Sequence, residues 1–274
     1  MVIALVIVLL AVCGLWILAQ RCRRGHAAWP KLRQFRYAHR GYHNKPTVPE
    51  NSMAAFRAAV EHGWGAELDV HLMKDGNLAV IHDASLKRTA GVDVKIEDLT
   101  KADLANYVLE ESFEHIPLLE HVRAVFEGKT PLIIELKAEG GNHAALSEAV
   151  ARMLDKYPGD YCIESFDPRV VAWFRKHRPN VCRGQLASNF LDADHTGLSR
   201  SNEFLLTNLL MNLVTCPDFV AYKFEDRNGF GLRLCRKIWK PVEVAWTIRR
   251  KEDLKTAEAE GKLVIFEQFD PDAA

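Results

Sequence analysis

The chain contains, at residues 65–73, the β-prone stretch Gly65-Ala66-Glu67-Leu68-Asp69-Val70-His71-Leu72-Met73. Because side chains alternate between the two faces of a strand, Glu67 and Asp69 point to the same face, about 7 Å apart. Like charges at that distance repel, and burying them without partners costs several kcal/mol per ion. Only Lys74 is a nearby cation in the sequence. The stretch therefore predicts either protonated carboxyl groups or a hard ion, Mg²⁺ or Ca²⁺, bound between two carboxylates.

A second strand-like stretch, Leu132-Ile133-Ile134-Glu135-Leu136-Lys137, offers a third carboxylate. Glu135 and Lys137 share one face of this strand. If both stretches belong to one barrel of parallel strands, their carboxyl ends meet at the same rim, where such barrels build their active sites. Each acid alone is more simply explained as a strand end in solvent. The three together predict a site in which Glu67, Asp69 and Glu135 bind metal.

Two histidines also follow apolar runs. His39 comes after Phe35-Arg36-Tyr37-Ala38, and His82 comes after Leu78-Ala79-Val80-Ile81. A single histidine at a strand end is usually structural or a surface residue. Two histidines beside a carboxylate cluster can divide acid and base roles, because imidazole titrates near neutral pH. We therefore predict His39 and His82 as a catalytic pair.

Length and composition indicate one folded α/β domain. The chain has 274 residues, of which 48% are hydrophobic, and one parallel barrel needs about 250. Strand-like and helix-like segments alternate, with a helix capped by Asn51 or Ser52 and a predicted insertion between residues 83 and 117. The 36 basic and 36 acidic residues balance, so no overall field favours nucleic acid. The six cysteines lack the spacing of a zinc site.

The motifs of this chain resemble those of the glycerophosphodiester phosphodiesterase family. They occur in family order across residues 35–270: Ala38-His39-Arg40-Gly41, Pro49-Glu50-Asn51-Ser52, Glu67-Leu68-Asp69, Leu78-Ala79-Val80-Ile81-His82-Asp83, Leu86-Lys87-Arg88-Thr89, Ile134-Glu135-Leu136-Lys137, Ser165-Phe166-Asp167-Pro168 and Trp246-Thr247-Ile248. The resemblance implies a TIM-type (β/α)8 barrel with a small insertion after strand 2. It also implies metal-dependent hydrolysis of glycerophosphodiesters to glycerol 3-phosphate and an alcohol.

The resemblance assigns roles to individual residues. It implies that His39 and His82 are the acid and base, and in some relatives the second histidine also lies close to the metal. Arg40 and Lys137 match the family's phosphate contacts, and Glu50 lies near the site. We also expect Phe166 and Trp246 to offer an apolar wall to the substrate, although aromatic residues at strand ends more often serve packing. The metal ligands implied are the same three acids, Glu67, Asp69 and Glu135.

One motif departs from the family pattern. Family members often close the barrel with a strand and a Thr-Asp-x-Pro turn, whereas this chain has Leu263-Val264-Ile265-Phe266-Glu267-Gln268-Phe269-Asp270-Pro271. The eighth strand is present in this pattern, but the loop that follows it differs. The ligands and histidines come from early strands, so the departure bears on substrate detail more than on catalysis.

The amino-terminal residues predict a membrane anchor. Val2–Ala19 is an almost unbroken apolar run, and about 18 such residues can cross a bilayer. Positive charge follows the run, at Arg21, Arg23 and Arg24, whereas a signal peptide carries it before the apolar region. The positive-inside tendency then places the barrel on the cytoplasmic side. We divide the chain into a transmembrane anchor (1–20), a juxtamembrane linker (21–34) and the barrel domain (35–274).

Several functions are consistent with these patterns. A close alternative is lysophospholipase D-type cleavage of a lysolipid at the membrane. A phosphatidylinositol-specific phospholipase C, a more distant barrel, would act without metal. A catalytically silent, membrane-tethered barrel that binds phosphodiesters is a different class of protein. For a hydrolase, the attacking group is either water or a neighbouring substrate hydroxyl, which would give a cyclic phosphate first.

Overall fold

The computed structural model describes residues 1–45, 47–192 and 197–273, in which nine strands form one sheet. The strands are β1 (Tyr37–Ala38), β2 (Gly65–Leu72), β3 (Leu78–Val80), β4 (Leu132–Leu136), β5 (Tyr161–Ser165), β6 (Arg183–Ala187), β7 (Phe219–Lys223), β8 (Val242–Ile248) and β9 (Leu263–Phe266). All of them except β3 pair in parallel, and β1 pairs with both β2 and β9. This pairing closes the sheet into the predicted barrel of eight parallel strands.

Helices alternate with these strands and cover the barrel. They are α1 (Val2–Ala19), α2 (Trp29–Leu32), α3 (Met53–Glu61), α4 (Lys87–Ala90), α5 (Leu119–Phe126), α6 (His143–Leu154), α7 (Pro168–His177), α8 (Arg200–Thr207), α9 (Asn212–Thr215), α10 (Phe230–Trp239) and α11 (Lys251–Ala259). Helix α6 illustrates how an apolar face packs a helix on the barrel. Its residues Leu146, Val150 and Leu154 recur every four positions and are all buried. Of the two predicted caps of α3, Ser52 is the one that accepts a hydrogen bond from the Ala55 N–H.

The strand that leads to His82 is not one of the eight barrel strands. β3 pairs antiparallel with β2, with Val80 opposite Val70, so β2 extends beyond the barrel and β3 returns to its rim. The segment after β3 is the predicted insertion. It contains two short 3₁₀ helices, Ile96–Asp98 and Lys101–Asn106. The insertion has its own small core, which includes Ile96 and Leu104.

The segment before β1 covers the amino end of the barrel. Trp29 and Leu32 of α2 are buried among the residues that fill the barrel interior. The Trp29 ring packs edge to face on Phe219 at the start of β7, with ring centroids 5.3 Å apart. Arg23 forms an ion pair with Asp218, the residue before β7. Residues 21–34 are therefore packed against the barrel over much of their length.

Helix α1 projects from the side of the barrel. Its 18 residues have a mean hydropathy of 3.1, and none of them is buried. Its last turn contacts the barrel, where the Trp239 indole donates to the Ile17 carbonyl at 2.7 Å. The Gln20 side chain follows, donating to the carbonyls of Asn208 and Gly231 at 2.8 Å. Helices of this length and composition occur both as single-pass anchors and as signal sequences.

Candidate active site

Three acids from two neighbouring strands converge at the carboxyl end of the barrel. Glu67 and Asp69 lie on β2 and Glu135 on β4, with exposed fractions of only 2%, 1% and 6%. The parallel register sets Asp69 opposite Glu135, so the alternation that pairs the first two acids also brings the third to the same face. One carboxylate oxygen from each residue lies within 4.8 Å of the others. The structure thus brings the three predicted ligands together.

Two cations from other elements partly neutralise this cluster. The Lys137 ammonium lies 2.8 Å from Glu135 Oε1 and 3.1 Å from Asp69 Oδ1. Arg40 Nε lies 3.3 Å from Asp69 Oδ2. Burial raises the pKa of Asp69, but the charges of Lys137 and Arg40 outweigh it and hold that pKa well below its usual range. Few cations are close to Asp69 in the sequence, but the fold brings Lys137 and Arg40 next to it.

The remaining carboxyl groups are left without enough positive charge. Burial, with repulsion from Asp69 and Glu135, raises the pKa of Glu67 well above its usual range. Burial also raises the pKa of Glu135 to about 7, with Lys137 opposing the change. Such a surplus of buried negative charge is expected where a cation or a proton completes the site. The all-oxygen set of Glu67, Asp69 and Glu135 fits a hard divalent ion.

A fourth acid, Glu164, was missed by the sequence analysis. It lies on β5 in register with Glu135, is 1% exposed, and its Oε2 has no hydrogen-bond partner among the described residues. Burial and the charge of Glu135 raise its pKa well above the usual range. Its position before Ser165-Phe166, at the end of an apolar run, is the same signal that identified Glu135 and could have identified Glu164.

His39 is held by a carboxylate from the far end of the chain. Its Nδ1 hydrogen-bonds to Glu267, the residue that follows β9, while its Nε2 lies 3.9 Å from Glu67 Oε2. A carboxylate only accepts, so Nδ1 carries the proton and Nε2 of the neutral ring is free to accept one. Burial lowers the pKa of His39, with the Glu267 contact opposing it. Arg249 Nε also donates to Glu267, at 2.6 Å.

Glu267 is the second residue missed from the sequence. The last strand, β9, ends at Phe266, so Glu267 begins the loop that departs from the family pattern. Barrel closure pairs Ala38 with Phe266, and the His39 N–H donates to the Phe266 carbonyl at 2.8 Å. The closure therefore places residue 267 beside residue 39, which a predicted barrel could have indicated.

His82 reaches the same rim from the β2–β3 hairpin. Its Nδ1 lies 2.6 Å from Asp83 Oδ1, and Arg88 holds Asp83 in turn, with 2.5 Å between Nε and Oδ2. The backbone is fixed as well, because His71 Nε2 lies 3.2 Å from the His82 carbonyl oxygen. Burial lowers the pKa of His82 to about 4, with Asp69 opposing and Lys137 adding to the effect.

Glu50 lies close to the site but does not line its cavity. It accepts from Arg40 Nη1 at 2.7 Å and from Arg88 Nη2 at 2.6 Å, and Lys45 Nζ lies 2.5 Å away. Burial raises the pKa of Glu50, but these three cations outweigh it and keep that pKa well below the usual range. The contacts of Glu50 are those of a residue that positions Arg40 and Arg88.

Seven of the predicted residues line a cavity of about 140 Å³. His39, His82, Arg40, Glu67 and Glu135 form its polar side. Phe166 and Trp246 form part of its apolar side, with their rings edge to face at 5.6 Å. Phe166 also lines a larger neighbouring groove of about 590 Å³. That groove is lined mainly by apolar side chains, including Phe190, Leu198, Leu205, Leu206 and Met211.

Comparison with known proteins agrees with this geometry. Residues 39–261 match the model of the glycerophosphoryl diester phosphodiesterase family. A glycerophosphodiester phosphodiesterase of Caldanaerobacter subterraneus subsp. tengcongensis is 31% identical over 230 residues, covering 80% of this chain and 87% of that protein. One from Bacillus altitudinis is 35% identical over 170 residues, covering 58% and 67%. Human lysophospholipase D GDPD1 is 38% identical over 121 residues, covering 39% of this chain and 37% of that protein.

Solved structures share the architecture. An Oleispira antarctica phosphodiesterase, solved in complex with the product sn-glycerol-3-phosphate, superposes with a TM-score of 0.71 at 21% identity, covering 89% of this chain and 95% of that one. A glycerophosphodiester phosphodiesterase of Thermotoga maritima gives a TM-score of 0.64 at 26% identity, covering 84% and 92%. The first likeness establishes the fold alone.

Proposed function

This chain belongs to the glycerophosphodiester phosphodiesterase family of phosphoric diester hydrolases, and from that premise we propose that it hydrolyses glycerophosphodiesters to glycerol 3-phosphate and an alcohol. The family match, over residues 39–261, includes both histidines and all three candidate ligands. The observation that supports the proposal best is a buried surplus of carboxylates beside two neutral imidazoles in one cavity. This arrangement suits a metal-assisted displacement at phosphorus.

Glu67, Asp69 and Glu135 would hold one divalent ion, Mg²⁺ or Ca²⁺. Their convergence and their incomplete neutralisation by Lys137 and Arg40 support this assignment. When bound, such an ion acts as a Lewis acid toward a non-bridging phosphate oxygen. Arg40 and Lys137 add positive charge next to the same position and stabilise the negative charge that grows in the transition state.

His39 and His82 divide the proton transfers. His39 Nε2 accepts the proton of the attacking oxygen, and the Glu267 carboxylate stabilises the imidazolium that forms. His82 protonates the departing alkoxide, because a bound phosphodiester anion raises the low pKa of its imidazole. Each transfer contributes about 10² to 10⁴ to the rate. Water and a substrate hydroxyl are both candidates for the attacking group, and ³¹P NMR of the reaction mixture distinguishes them by a cyclic phosphate signal.

Phe166 and Trp246 provide an apolar wall for the alcohol portion of the diester. Their edge-to-face contact and their place on the cavity support this role. Glu50 positions Arg40, to which it is hydrogen-bonded, and does not contact the substrate itself.

Helix α1 anchors the enzyme as a single transmembrane span, with the barrel domain (35–274) on the cytoplasmic side and residues 21–34 as the connection. An apolar run of 18 exposed residues supports the anchor. Arg23 is engaged by Asp218, so the positive-inside argument depends on Arg21 and Arg24, which pair with no acid among the described residues. A cleaved signal is the competing outcome, and the mass of the mature chain separates the two.

A lysolipid is the second candidate substrate. The apolar groove of about 590 Å³ meets the catalytic cavity at Phe166 and could receive an acyl chain. A relative named lysophospholipase D, 38% identical over 121 residues, also favours it.

The test is a substrate panel on the full chain in detergent, comparing glycerophosphocholine with lysophosphatidylcholine. We expect hydrolysis of the first with release of glycerol 3-phosphate, and loss of activity in His39→Ala and in Glu67→Gln. His62→Ala, at an exposed histidine outside the site, is the matched control and should retain full activity. Rates near wild type in either site variant would contradict the assignment. Binding without turnover of any diester would favour the silent barrel.

A further inference from the structure

Exposed apolar side chains are concentrated on one side of the barrel. Outside α1, ten large hydrophobic side chains are exposed among the described residues, and six of them lie between residues 198 and 238. We call four of these the collar: Phe204 and Phe230, which contact Trp16 in the last turn of α1, and Leu213 and Val214 on α9, a helix that also contacts α1. The Phe230 side chain is the most exposed of the four, at 70%. Exposed apolar side chains grouped on one side of a folded domain often mark the binding site of a partner or a membrane.

The collar touches the base of α1 directly. The Trp16 ring packs edge to face on Phe204 at 5.5 Å and on Phe230 at 6.2 Å between centroids. Arg21, two residues after α1 ends, donates from Nη2 to the Leu213 carbonyl at 3.1 Å. Whatever surrounds the end of α1 must therefore also contact the collar.

The position of Trp16 along α1 indicates that lipid is what contacts the collar. Eighteen helical residues extend about 27 Å, close to the hydrocarbon thickness of about 30 Å, so the end of a spanning α1 lies at the boundary with the headgroups. Tryptophan is enriched at that boundary. Phe204 and Phe230 contact Trp16 and therefore lie at the same depth. A protein partner would have to compete with lipid for this position.

Charge at the edge of the collar fits lipid headgroups. Arg21 and Arg175 both donate to the Leu213 carbonyl, and Arg175 donates to the Val214 carbonyl at 2.6 Å. Neither guanidinium pairs with an acid among the residues that the structure describes. Two neighbouring cations without an acid are stabilised by phosphate, which guanidinium groups bind well.

We propose that the collar rests in the interfacial region of the bilayer that α1 spans, with Arg21 and Arg175 on lipid phosphates. This inference rests on the proposed membrane anchor. Phe230 is the first residue of α10, and the helices of such a barrel begin near the carboxyl ends of the strands, so this part of the collar lies toward the catalytic end. Leu213 and Val214 of α9 lie just before β7 begins, so the collar runs along the side of the barrel and does not lie at one end alone.

Photocrosslinking tests the proposal on the full chain, reconstituted in vesicles of three parts phosphatidylcholine to one part phosphatidylglycerol, with a biotin-tagged phospholipid tracer. The variants are Phe230→p-benzoylphenylalanine in the collar and Phe113→p-benzoylphenylalanine on the insertion, whose side chain is fully exposed. Leu9→p-benzoylphenylalanine, in the middle of α1, reports whether the helix enters the bilayer. Because all three side chains are exposed, the larger ring should not disturb folding, and retained hydrolase activity verifies this.

We expect lipid adducts at residues 9 and 230, with at least a tenfold lower yield at residue 113. A labelled residue 9 with an unlabelled residue 230 overturns the collar contact but keeps the anchor. Equal labelling at 230 and 113 also overturns it, since the contact would then be nonspecific. An unlabelled residue 9 removes the anchor and the collar contact together, while hydrolysis of a soluble diester is tested independently.

Discussion

The two ends of the barrel each bury charged residues, but they balance them differently. At the amino end, the fully buried Asp218 accepts from Arg23 Nη2 at 2.8 Å and from the Arg183 N–H at 3.1 Å, and Arg183 Nη1 lies 3.8 Å away. One carboxylate there has two guanidinium partners. At the carboxyl end, Glu67, Asp69, Glu135 and Glu164 share Lys137 and Arg40.

We interpret this difference as one between a structural cluster and a proposed functional one. A buried carboxylate with a full set of partners holds elements together, here the segment before β1 against β6 and β7. A buried surplus of carboxylates opposes folding and persists where a ligand completes it. The contrast agrees with a general property of such barrels: catalytic residues lie at the carboxyl ends of the strands, and residues at the amino ends contribute to stability.

The largest expected effect is on catalysis at the carboxyl end. Glu67→Gln should reduce kcat/KM by about 10³, since a ligand of the proposed ion is lost. The melting temperature should stay equal or rise, because the substitution removes a buried charge with no cation of its own. Steady-state kinetics and thermal melting measure both, with the exposed Glu61→Gln as control. A lower melting temperature with normal activity would reverse the assignment of the two ends.

The contact between Glu267 and His39 should matter next. Glu267→Gln should lower kcat by about 10² with little change in KM, because the imidazolium loses its carboxylate. Without that carboxylate the pKa of His39 falls further, so the acid limb of the kcat/KM profile should move to lower pH. Arg249→Gln removes a different partner of Glu267 and should cost less than about tenfold in kcat. An unchanged kcat in Glu267→Gln would exclude a positioning role.

The amino end should respond in stability alone. Asp218→Asn should lower the free energy of unfolding by about 3 kcal/mol, since it leaves Arg183 buried without its counter-ion. Urea denaturation in detergent measures this, and kcat of the folded variant should be normal. Asp160→Asn, which removes an exposed pair with Lys31, should change the free energy by less than about 0.5 kcal/mol. A catalytic defect in Asp218→Asn would show that the two ends are coupled.

The smallest effect is a pH dependence of ion binding. Burial raises the pKa of Glu135 to about 7, so Glu135 is mostly protonated at pH 6 and mostly ionised at pH 8. A ligand must lose its proton to bind, so affinity for Mg²⁺ or Ca²⁺ should be about tenfold weaker at pH 6, with proton release on binding. Calorimetry in two buffers of different ionisation enthalpy measures both. Equal affinity at the two pH values would exclude Glu135 as a ligand.

The sequence predicted the parts of the site that depend on local periodicity. Alternation along β2 gave Glu67 and Asp69, and the position of an acid at the end of an apolar run gave Glu135. The order of strands and helices likewise followed from hydrophobic patterns. The hairpin pairing of the strand that leads to His82 was not predicted, because a continuous apolar run does not distinguish a hairpin strand from a barrel strand.

Residues whose partners are distant in the chain could not be read in this way. Glu267 meets His39 only because β9 closes on β1, and Lys137 and Arg40 reach Asp69 only because three strands share a rim. The pairing of Arg23 with Asp218 is another example, since it changes a presumed membrane flank into part of the fold. The balance of charges depends on which side chains the folded barrel brings together at its rim, and the spacing of residues along the sequence does not predict it.

Our account requires that the carboxylates at the carboxyl end bind a divalent ion and that hydrolysis depends on this ion. The most direct measurement is glycerophosphocholine hydrolysis by the full chain after treatment with a chelator, followed by addition of Mg²⁺ or Ca²⁺ singly. We predict that the chelator abolishes release of glycerol 3-phosphate and that one of the two ions restores it. Full activity in the chelated protein would contradict the claim.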